Sequence, residues 1–462
     1  MMATVRSLLV DLFACASMLT LSACASLPSV HYLDPALTAP RTVSIENSRG
    51  NNLSQASVKA MLDRRLRHSD VDLQARAALE EAATGSPLIA GNQVTLLYDG
   101  PQTMTAMMAA IKDAKNNINL ETYIFDQDEL GLRFADLLIA KQREGVAVNI
   151  LYDGIGTINT PREFFERMRL AGIHLLEFNP VNPLARFGSW EPNNRDHRKI
   201  LVVDGRIGFT GGVNISNTYS RSSLFRSKSR TGQQTGWRDT HIRIEGPAVA
   251  ALQMVFIDGW ESQHAGELVD GNYFPRLAPA GDRIVRVLAS SPDSNHAIYR
   301  AYVMAMQQAT TSIHLTAAYF VPDVQVVEAL KNAAARGVDV KLVLSGATDS
   351  GLVRHAGQSF YAQLLAAGVK LFQLNVSVLH AKTAVIDGVW STVGSTNLDT
   401  RSFLHNNEIN VIVLGDEFGA SMESAFAEDL RGSTEVTIDS WNQRPLSDRF
   451  KEFAARTLEY WL

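Results

Sequence analysis

The chain carries one pattern of polar residues twice, in two distant stretches. The first stretch, NNRDHRKILVVDGRIGFTGGVNIS, begins at Asn193, and the second, LHAKTAVIDGVWSTVGSTNLDTRS, begins at Leu379. Each contains His-x-Lys, an Asp after four further residues, and Gly-Gly or Gly-Ser followed by x-Asn six residues later. Chance duplication of so sparse a pattern is improbable. The chain is therefore constrained to a fold with two equivalent half-sites.

The sequence around the motifs repeats as well. AKNNINLETYIF matches ATTSIHLTAAYF, REGVAVNILYDG matches ARGVDVKLVLSG, and LAGIHLLEF matches AAGVKLFQL. After the motifs, DTHIRIEG matches EINVIVLG, which aligns Asp239 with Glu408. Each half reads as alternating strands and helices, followed by a motif strand and a closing strand, with apolar runs typical of a sheet covered on both faces. We predict an α/β fold of two similar halves packed as a pseudo-twofold pair, with the active site at their interface.

The repeat and its flanks define the predicted domain organisation. We predict a lipoprotein-type signal peptide at 1–23, a linker at 24–53, a helical segment at 54–90, the first half at 91–265 with its motif at 197–214, the second half at 283–440 with its motif at 380–397, and an amphipathic helix at 445–462. We expect the C-terminal helix, with Phe450 and Phe453 near one face, to pack on the body rather than on a membrane. A basic, Ser-rich insert after the first motif, TYSRSSLFRSKSRTGQQTG, either binds anionic groups or forms a solvated loop.

The N-terminus resembles a bacterial lipoprotein signal. A mostly apolar run from 8 to 21 ends in Leu-Ser-Ala-Cys, in which Cys24 would become the acylated first residue. Cys15 and Cys24 are the only cysteines, so cleavage leaves none for a disulfide, a metal or a catalytic thiol. The residue after Cys24 is Ala25 and not the Asp that commonly marks lipoproteins retained in the inner membrane. This favours an outer-membrane location facing the periplasm. A plain secretory signal or an N-terminal anchor is the alternative.

Composition restricts the function only broadly. The chain has 462 residues, of which 46% are apolar and 20% charged, as in an ordinary globular protein. Its net charge of -5 argues against a surface built for nucleic acid, where basic residues are expected.

Two facing half-sites suit chemistry on a phosphodiester. They bring together two imidazoles, two ammoniums and two amides: His197, Lys199, Asn214, His380, Lys382 and Asn397. The ammonium and amide groups are donors for phosphate oxygens. One neutral imidazole can attack phosphorus while the other, protonated, donates to the leaving oxygen, and Glu408 and Asp239 can fix the imidazole tautomers. No metal or other cofactor is expected, because Lys and Asn supply the charge stabilisation.

These motifs resemble those of the phospholipase D superfamily, and within it the bacterial cardiolipin synthase type. Further matching stretches include GNQVTLLYDG, INLETYIFDQDELG, YFVPD and VGSTNLDTRSFLHNNEIN. The resemblance implies two α-β-α sandwich halves of the phospholipase D type and a covalent phosphatidyl-histidine intermediate. Cardiolipin synthases of the commonest type differ in having transmembrane helices near the N-terminus and the sequence TPYF, which is AAYF at 317–320 here.

The resemblance also implies residue roles. His197 and His380 are the nucleophile and the general acid/base, with His197 slightly favoured as the nucleophile. The implied phosphate-binding residues are Lys199, Lys382, Asn214, Asn397, Gly212 and Ser395. Glu408 orients a histidine, and Asp239 takes the equivalent position in the first half. The motif aspartates Asp204 and Asp387 belong to the catalytic motif, and we expect them mainly to support its loops.

The function implied is transfer of a phosphatidyl group from one phosphatidylglycerol to another, which yields cardiolipin and glycerol. The expected partners are a phospholipid substrate and a membrane surface reached through the lipid anchor, with nucleic acid disfavoured and the oligomeric state open. The alternatives are a phospholipase D that hydrolyses or uses another alcohol, a nucleic-acid phosphodiesterase, and a lipid-binding lipoprotein without catalysis.

Overall fold

The repeated pattern of apolar segments folds as two halves, each built around its own sheet. The computed structural model describes residues 26–30, 42–65, 71–182, 193–221, 236–264, 271–348 and 350–461, together with residues 191, 266 and 268. The predicted signal peptide at 1–23, the predicted lipidation site Cys24 and most of the basic insert lie outside the described residues.

A mixed sheet forms the centre of the first half. In spatial order its strands are His174–Phe178, Ala147–Asp153, Asn117–Thr122, Ile200–Val203, Ile207–Gly211, His241–Glu245 and Leu88–Leu97. The first three run parallel, and each later strand runs antiparallel to its neighbour. Every residue of Asn117–Thr122 and Ile200–Val203 is buried, as expected for central strands covered on both faces.

The second half repeats this strand order. Its strands are Lys370–Val378, Asp339–Ala347, Ser312–Ala317, Lys382–Ile386, Trp390–Gly394, Asn406–Leu414 and Arg283–Ser290, with Ser433–Val436 added at the outer edge. Shorter strands are Ile45–Glu46, Arg195–Asp196, Phe320–Val321 and Leu398–Asp399. The identical order, with the same parallel and antiparallel pairs, confirms the fold predicted from the repeat.

Helices cover both faces of the sheets. In the described residues they are Gln55–Asp63, Leu73–Thr84, Gly100–Asp113, Glu129–Arg143, Arg162–Leu170, Val249–Glu261, Ala297–Gln308, Val324–Ala335, Gly351–Gln358, Tyr361–Ala366, Thr400–Leu404, Asp416–Arg431, Ile438–Asn442 and Leu446–Arg456. Several begin at an aspartate whose side chain accepts from a backbone N–H of the first turn; Asp128, for example, accepts from Gly131 N at 2.9 Å.

The two halves share an apolar layer. Strand Leu88–Leu97 pairs antiparallel with strand Arg283–Ser290, which places the sheets edge to edge. Behind that seam one cluster of buried side chains draws on both halves: Val94, Ile200, Val202, Ile242, Ile244, Val285, Val385, Val393, Ile409 and Val411. Because these residues come from the strands that carry the motifs, burial of the shared layer fixes the two half-sites relative to each other.

Part of the predicted linker at 24–53 belongs to the body instead. Val43 and Ile45 are fully buried, and strand Ile45–Glu46 pairs in parallel with Leu88 and Ile89. The alternating apolar side chains at 43 and 45 give this short segment one face to bury against the core. The predicted helical segment at 54–90 contains two helices, and the first strand of the sheet begins at its end.

The C-terminal segment forms helix Leu446–Arg456 and a short 3-10 turn at Glu459–Trp461. The helix packs on the second half as expected, but through Glu452 and Ala455, whereas Phe450 and Phe453 point outward. Among the described residues, no helix combines the length and apolar character needed to span a bilayer.

Candidate active site

Two short crossings between the halves position the motif histidines. Strand Arg195–Asp196 pairs in parallel with Asn406 and Asn407, and the backbone N–H of His197 donates to Asn407 O at 2.9 Å. The equivalent crossing joins Arg238 to Leu379, and the N–H of His380 donates to Arg238 O at 2.7 Å. Each histidine therefore enters the site on a segment held by the opposite half.

The crossings pair each histidine with a carboxylate of the other half. His197 Nδ1 lies 3.0 and 3.1 Å from the two carboxylate oxygens of Glu408. His380 Nδ1 lies 2.7 Å from Asp239 Oδ2. A carboxylate that accepts from Nδ1–H leaves the lone pair on Nε2, so each imidazole presents Nε2 to a substrate.

Burial and charge set the protonation of these pairs. Burial, only partly opposed by Glu408, lowers the pKa of His197 to about 4, and it also lowers the pKa of His380. Burial alone raises the pKa of Glu408, but His197, Lys199 and Ser395 together hold it at about 2. His197 is therefore neutral at neutral pH, as a nucleophile must be, while its orienting carboxylate stays ionised.

The motif lysines lie beside the histidines. Lys199 Nζ donates to the backbone carbonyl of His197, and Lys382 Nζ donates to that of His380. Burial and, to a smaller extent, the charge of Lys382 lower the pKa of Lys199 to about 7, although the charge of Glu408 opposes them. The ammonium groups of Lys199 and Lys382 both attract an anion. A bound phosphodiester adds negative charge, which raises the pKa values of both lysines.

The amides occupy equivalent positions below the lysines. Asn214 donates from Nδ2 to the Tyr219 hydroxyl at 3.1 Å and accepts at Oδ1 from the backbone N–H of Ile124. Asn397 is buried, and its Oδ1 has no hydrogen-bond partner among the described residues. Tyr219 links Asn214 to His380, while Asn397 follows strand Trp390–Gly394 at the equivalent position of the second half.

Two predicted phosphate contacts lie against the carboxylates instead. A side chain on Gly212 would meet Asp239 Oδ1 at 2.0 Å, and the N–H of Gly212 already donates to Thr240 O. The Ser395 hydroxyl donates to Glu408, and its N–H donates to Ile409 O. In this geometry Gly212 makes room for Asp239, and Ser395 holds Glu408.

Aromatic residues that the motifs did not reveal surround the imidazoles. Tyr123 meets His197 edge-on at 5.1 Å between ring centroids, and Lys199 Nζ lies 5.2 Å from the Tyr123 ring. Near His380, the Trp237 ring lies 5.3 Å from the imidazole between centroids, and the Tyr219 hydroxyl lies 3.2 Å from His380 Nδ1. Tyr219 falls in the long insert, which has no counterpart in the repeat, so comparison of the two halves could not identify it.

A buried acidic pair beside His197 was also missed. The carboxylates of Glu121 and Asp196 are fully buried next to Arg198, and the pKa of each is raised, to about 6 for Asp196, chiefly by burial. The equivalent positions of the second half hold Thr316 and Leu379. This pair gives the two half-sites different electrostatic surroundings.

The motif aspartates lie at the far ends of the motif strands. Asp204 accepts from the backbone N–H groups of Lys115, Asn116 and Asn117, and Asp387 from those of Thr310, Thr311 and Ser312. Both adopt left-handed backbone conformations, with φ of 54° and 53°, which aspartate tolerates better than most residues. Each carboxylate ties the turn after the motif strand to the start of a neighbouring strand.

We expect Asp387→Asn to lower stability rather than chemistry. Asp387 also accepts from the hydroxyls of Thr310 and Thr311 and forms an ion pair with Arg76 at 2.7 Å. Loss of its charge weakens these contacts and lowers the free energy of unfolding by about 2 kcal/mol. Chemical denaturation measures this, and kcat of the folded fraction should stay within about threefold of wild type. A kcat loss of a hundredfold without destabilisation would contradict the supporting role.

The described residues contain no group of three or more His, Cys, Asp or Glu side chains arranged to hold a metal ion.

Comparison with known proteins assigns the family. Residues 107–224 and 302–430 match the family described as cardiolipin synthase, PLD-like domain. The chain is 34% identical over 376 residues to the cardiolipin synthase of Alkalihalophilus pseudofirmus, with 81% of this chain and 73% of that protein covered. The chain belongs to the cardiolipin synthase family. A second member, from Listeria monocytogenes serotype 4a, is 36% identical over 378 residues, with 81% and 76% covered.

A solved structure supports the fold of this cardiolipin synthase family member. The phosphatidylserine synthase of Haemophilus influenzae superposes with a TM-score of 0.62 at 14% identity, over 80% of this chain and 95% of that one. The family assignment confirms the resemblance to the phospholipase D superfamily and identifies the chain as an enzyme of that superfamily.

We expect kcat/KM of this family member to fall above about pH 7. Lys199, whose pKa is about 7, loses its charge as the pH rises through that value, and attraction for a phosphodiester weakens. The His197 imidazole, with a pKa of about 4, stays neutral down to that pH. Rates between pH 4 and 9 measure this, since kcat/KM reports the free enzyme. The guanidinium of Lys199→Arg does not titrate in this range, so in that variant the fall in kcat/KM should begin at a higher pH. If the fall began at the same pH as in wild type, another group would be responsible for it.

Proposed function

We propose that the chain is a phosphatidyltransferase that makes cardiolipin and glycerol from two molecules of phosphatidylglycerol. The observation that carries the proposal is the crossed site, in which both imidazoles are oriented by carboxylates and flanked by lysines, in a member of the cardiolipin synthase family. Curated relatives over most of the chain carry the name cardiolipin synthase.

In the first step His197 Nε2 attacks the phosphorus of the donor lipid. The negative charge of the bound phosphodiester raises the pKa of His380, which burial lowers in the free enzyme, and favours its protonated form. The bond from phosphorus to the head-group oxygen breaks, and protonated His380 gives its proton to that oxygen, so glycerol leaves. Glu408 stabilises the positive charge that develops on the His197 ring. Lys199, Lys382, Asn214 and Asn397 hold the non-bridging phosphate oxygens, whose charge concentrates in the transition state.

In the second step a hydroxyl of another phosphatidylglycerol attacks the phosphatidyl-histidine. His380, now neutral, takes the hydroxyl proton, the phosphorus–nitrogen bond breaks, and His197 returns to its starting form. An alcohol held against the intermediate reacts ahead of water because its effective concentration is high. The same residues would hydrolyse the intermediate if water reached it first.

The products of the full chain on phosphatidylglycerol vesicles test this proposal. Mass spectrometry should show cardiolipin and glycerol in equal amounts, and neither should form with His380→Asn. Phosphatidic acid without cardiolipin would replace the transferase by a hydrolase. No turnover of any phospholipid would overturn both readings and direct attention to other phosphodiesters.

We further propose that acylation of Cys24 holds the enzyme on a membrane facing the periplasm, with the outer membrane favoured over the inner. The lipobox-like sequence and Ala25 support this. Radiolabelled palmitate should label the wild type and Cys15→Ser but not Cys24→Ser. Label retained in Cys24→Ser would contradict acylation at this residue.

A further inference from the structure

The C-terminal helix turns its apolar side chains outward. Leu446, Phe450 and Phe453 expose 78%, 72% and 70% of their surface. Their spacing of four and three residues places them on one face of helix Leu446–Arg456. The inner face is polar: Glu452 is buried and forms paired hydrogen bonds of 2.8 Å with Arg444. An amphipathic helix on a protein surface ordinarily buries its apolar face against the protein. Here that face points outward, which suggests that apolar material outside this protein covers it.

The exposed face lies at the rim of the active site. The helix packs on helix Gly351–Gln358, which follows strand Asp339–Ala347 at the edge of the sheet where the histidines lie. Beyond the helix, Tyr460 contacts His405 at 5.2 Å between ring centroids. The carbonyl of His405 accepts from the N–H of Arg195, two residues before His197. His405 thus connects the tail to the crossing that carries the candidate nucleophile.

Residues 28–30, shortly after the predicted lipidation site, lie at the same rim. Gln325 donates to Pro28 O at 2.9 Å and accepts from Val30 N at 2.6 Å, so residues 28–30 are held at the start of helix Val324–Ala335. The neighbouring Val324 exposes 73% of its surface. Asp323, at this helix start, accepts from the Tyr299 hydroxyl at 2.7 Å, and the Tyr299 ring lies 4.9 Å from that of Phe403 between centroids. Phe403 belongs to helix Thr400–Leu404, which contacts the C-terminal turn Glu459–Trp461, so the tail lies at the same rim. Pro28 is the fourth residue after Cys24, a reach of at most about 14 Å.

We propose that Leu446, Phe450 and Phe453 form a docking face for a phospholipid bilayer, and that it orients the active site toward lipid head groups. The proposal rests on the proposed function in that the substrate is a bilayer lipid. The lipid anchor proposed at Cys24 would hold the face near the membrane and add to an affinity that the face has by itself. Exposed Arg449 and Lys451 on the same helix can reach anionic phosphates at the bilayer surface.

Site-specific labelling tests the docking directly and does not depend on activity. The full chain with Cys15→Ser and Cys24→Ser is given one new cysteine, by Phe450→Cys, and labelled with an environment-sensitive fluorophore. The matched control is Leu170→Cys, since Leu170 is 80% exposed. It ends helix Arg162–Leu170 and precedes His174–Phe178, the outer strand of the first half, whereas Phe450 lies on the second half.

The probe is a phosphatidylglycerol vesicle whose acyl chains carry bromine, which quenches fluorophores that enter the apolar region. We expect quenching of at least about twofold at position 450 and no change at position 170. No quenching at 450, or equal quenching at both positions, would overturn the proposal.

Kinetics separate docking from catalysis. In Phe450→Ser/Phe453→Ser we expect turnover on vesicles to fall about tenfold, because the apolar contact is lost. On a short-chain phosphatidylglycerol below its micelle concentration, turnover should match that of wild type, as it should for Leu170→Ser on both substrates. An equal loss on the monomeric lipid would show that the helix supports the site itself and would overturn the docking role. A wild type inactive on both lipids would sink the proposed function, while the fluorophore result would still decide the docking.

Discussion

His197→Asn and His380→Asn should each lower phosphatidyl transfer by at least about a thousandfold, because each removes the Nε2 that attacks phosphorus or moves the proton. Asparagine is the informative replacement, since its amide nitrogen can keep the donor to Glu408 or Asp239 that Nδ1 supplies. The buried carboxylates then keep a partner, and the variants should stay folded. Cardiolipin formation from phosphatidylglycerol vesicles measures the loss.

Circular dichroism and thermal melting provide the control for these variants. A loss of activity together with an unchanged melting temperature assigns the effect to chemistry. If either variant kept more than about a tenth of wild-type activity while folded, a mechanism that needs both imidazoles would be contradicted.

The second large effect is expected at the carboxylates. Glu408→Gln should lower kcat by about a hundredfold or more, because an amide can stabilise the wrong tautomer of His197 and cannot stabilise the charged ring. Asp239→Asn should do the same through His380. Both effects act across the boundary between the halves, since each carboxylate faces the histidine of the opposite motif.

A matched control is Glu80→Gln. Glu80 is also buried and pairs with Arg286 and Trp390, remote from the histidines. Its replacement should lower the free energy of unfolding by about 1–3 kcal/mol and leave kcat of the folded fraction unchanged. If Glu80→Gln lowered kcat as much as Glu408→Gln, the effect at Glu408 would be one of general destabilisation.

The repeat predicted the two halves and their strand order because helices and central strands repeat the same burial pattern in sequence. It could not predict the crossed pairing of histidine and carboxylate. Alignment of the halves places Asp239 with the first motif, whereas the structure pairs it with His380. That pairing depends on the short contacts between Arg238 and Leu379 and between Arg195 and Asn406, which have no periodicity to detect.

Positions outside the repeat were harder to predict. Tyr219 lies in an insert of one half, and Tyr123 has an alanine at its aligned position in the second half. Periodicity identified the C-terminal helix as amphipathic but did not tell which face meets the body. The inner face instead carries buried Glu452, paired with half-buried Arg444, and hydrophobicity alone gives no weight to such a pair.

The measurement that tests the central claim most directly uses phosphatidyl-p-nitrophenol in mixed micelles. Its leaving group departs without a proton donor, so the first step no longer needs His380. We predict that His380→Asn releases one equivalent of p-nitrophenolate in a burst and then stalls as phosphatidyl-His197, whereas His197→Asn shows no burst. A burst in His197→Asn but not in His380→Asn would reverse the two roles. Steady release without a burst or a covalent adduct in His380→Asn would contradict the covalent mechanism.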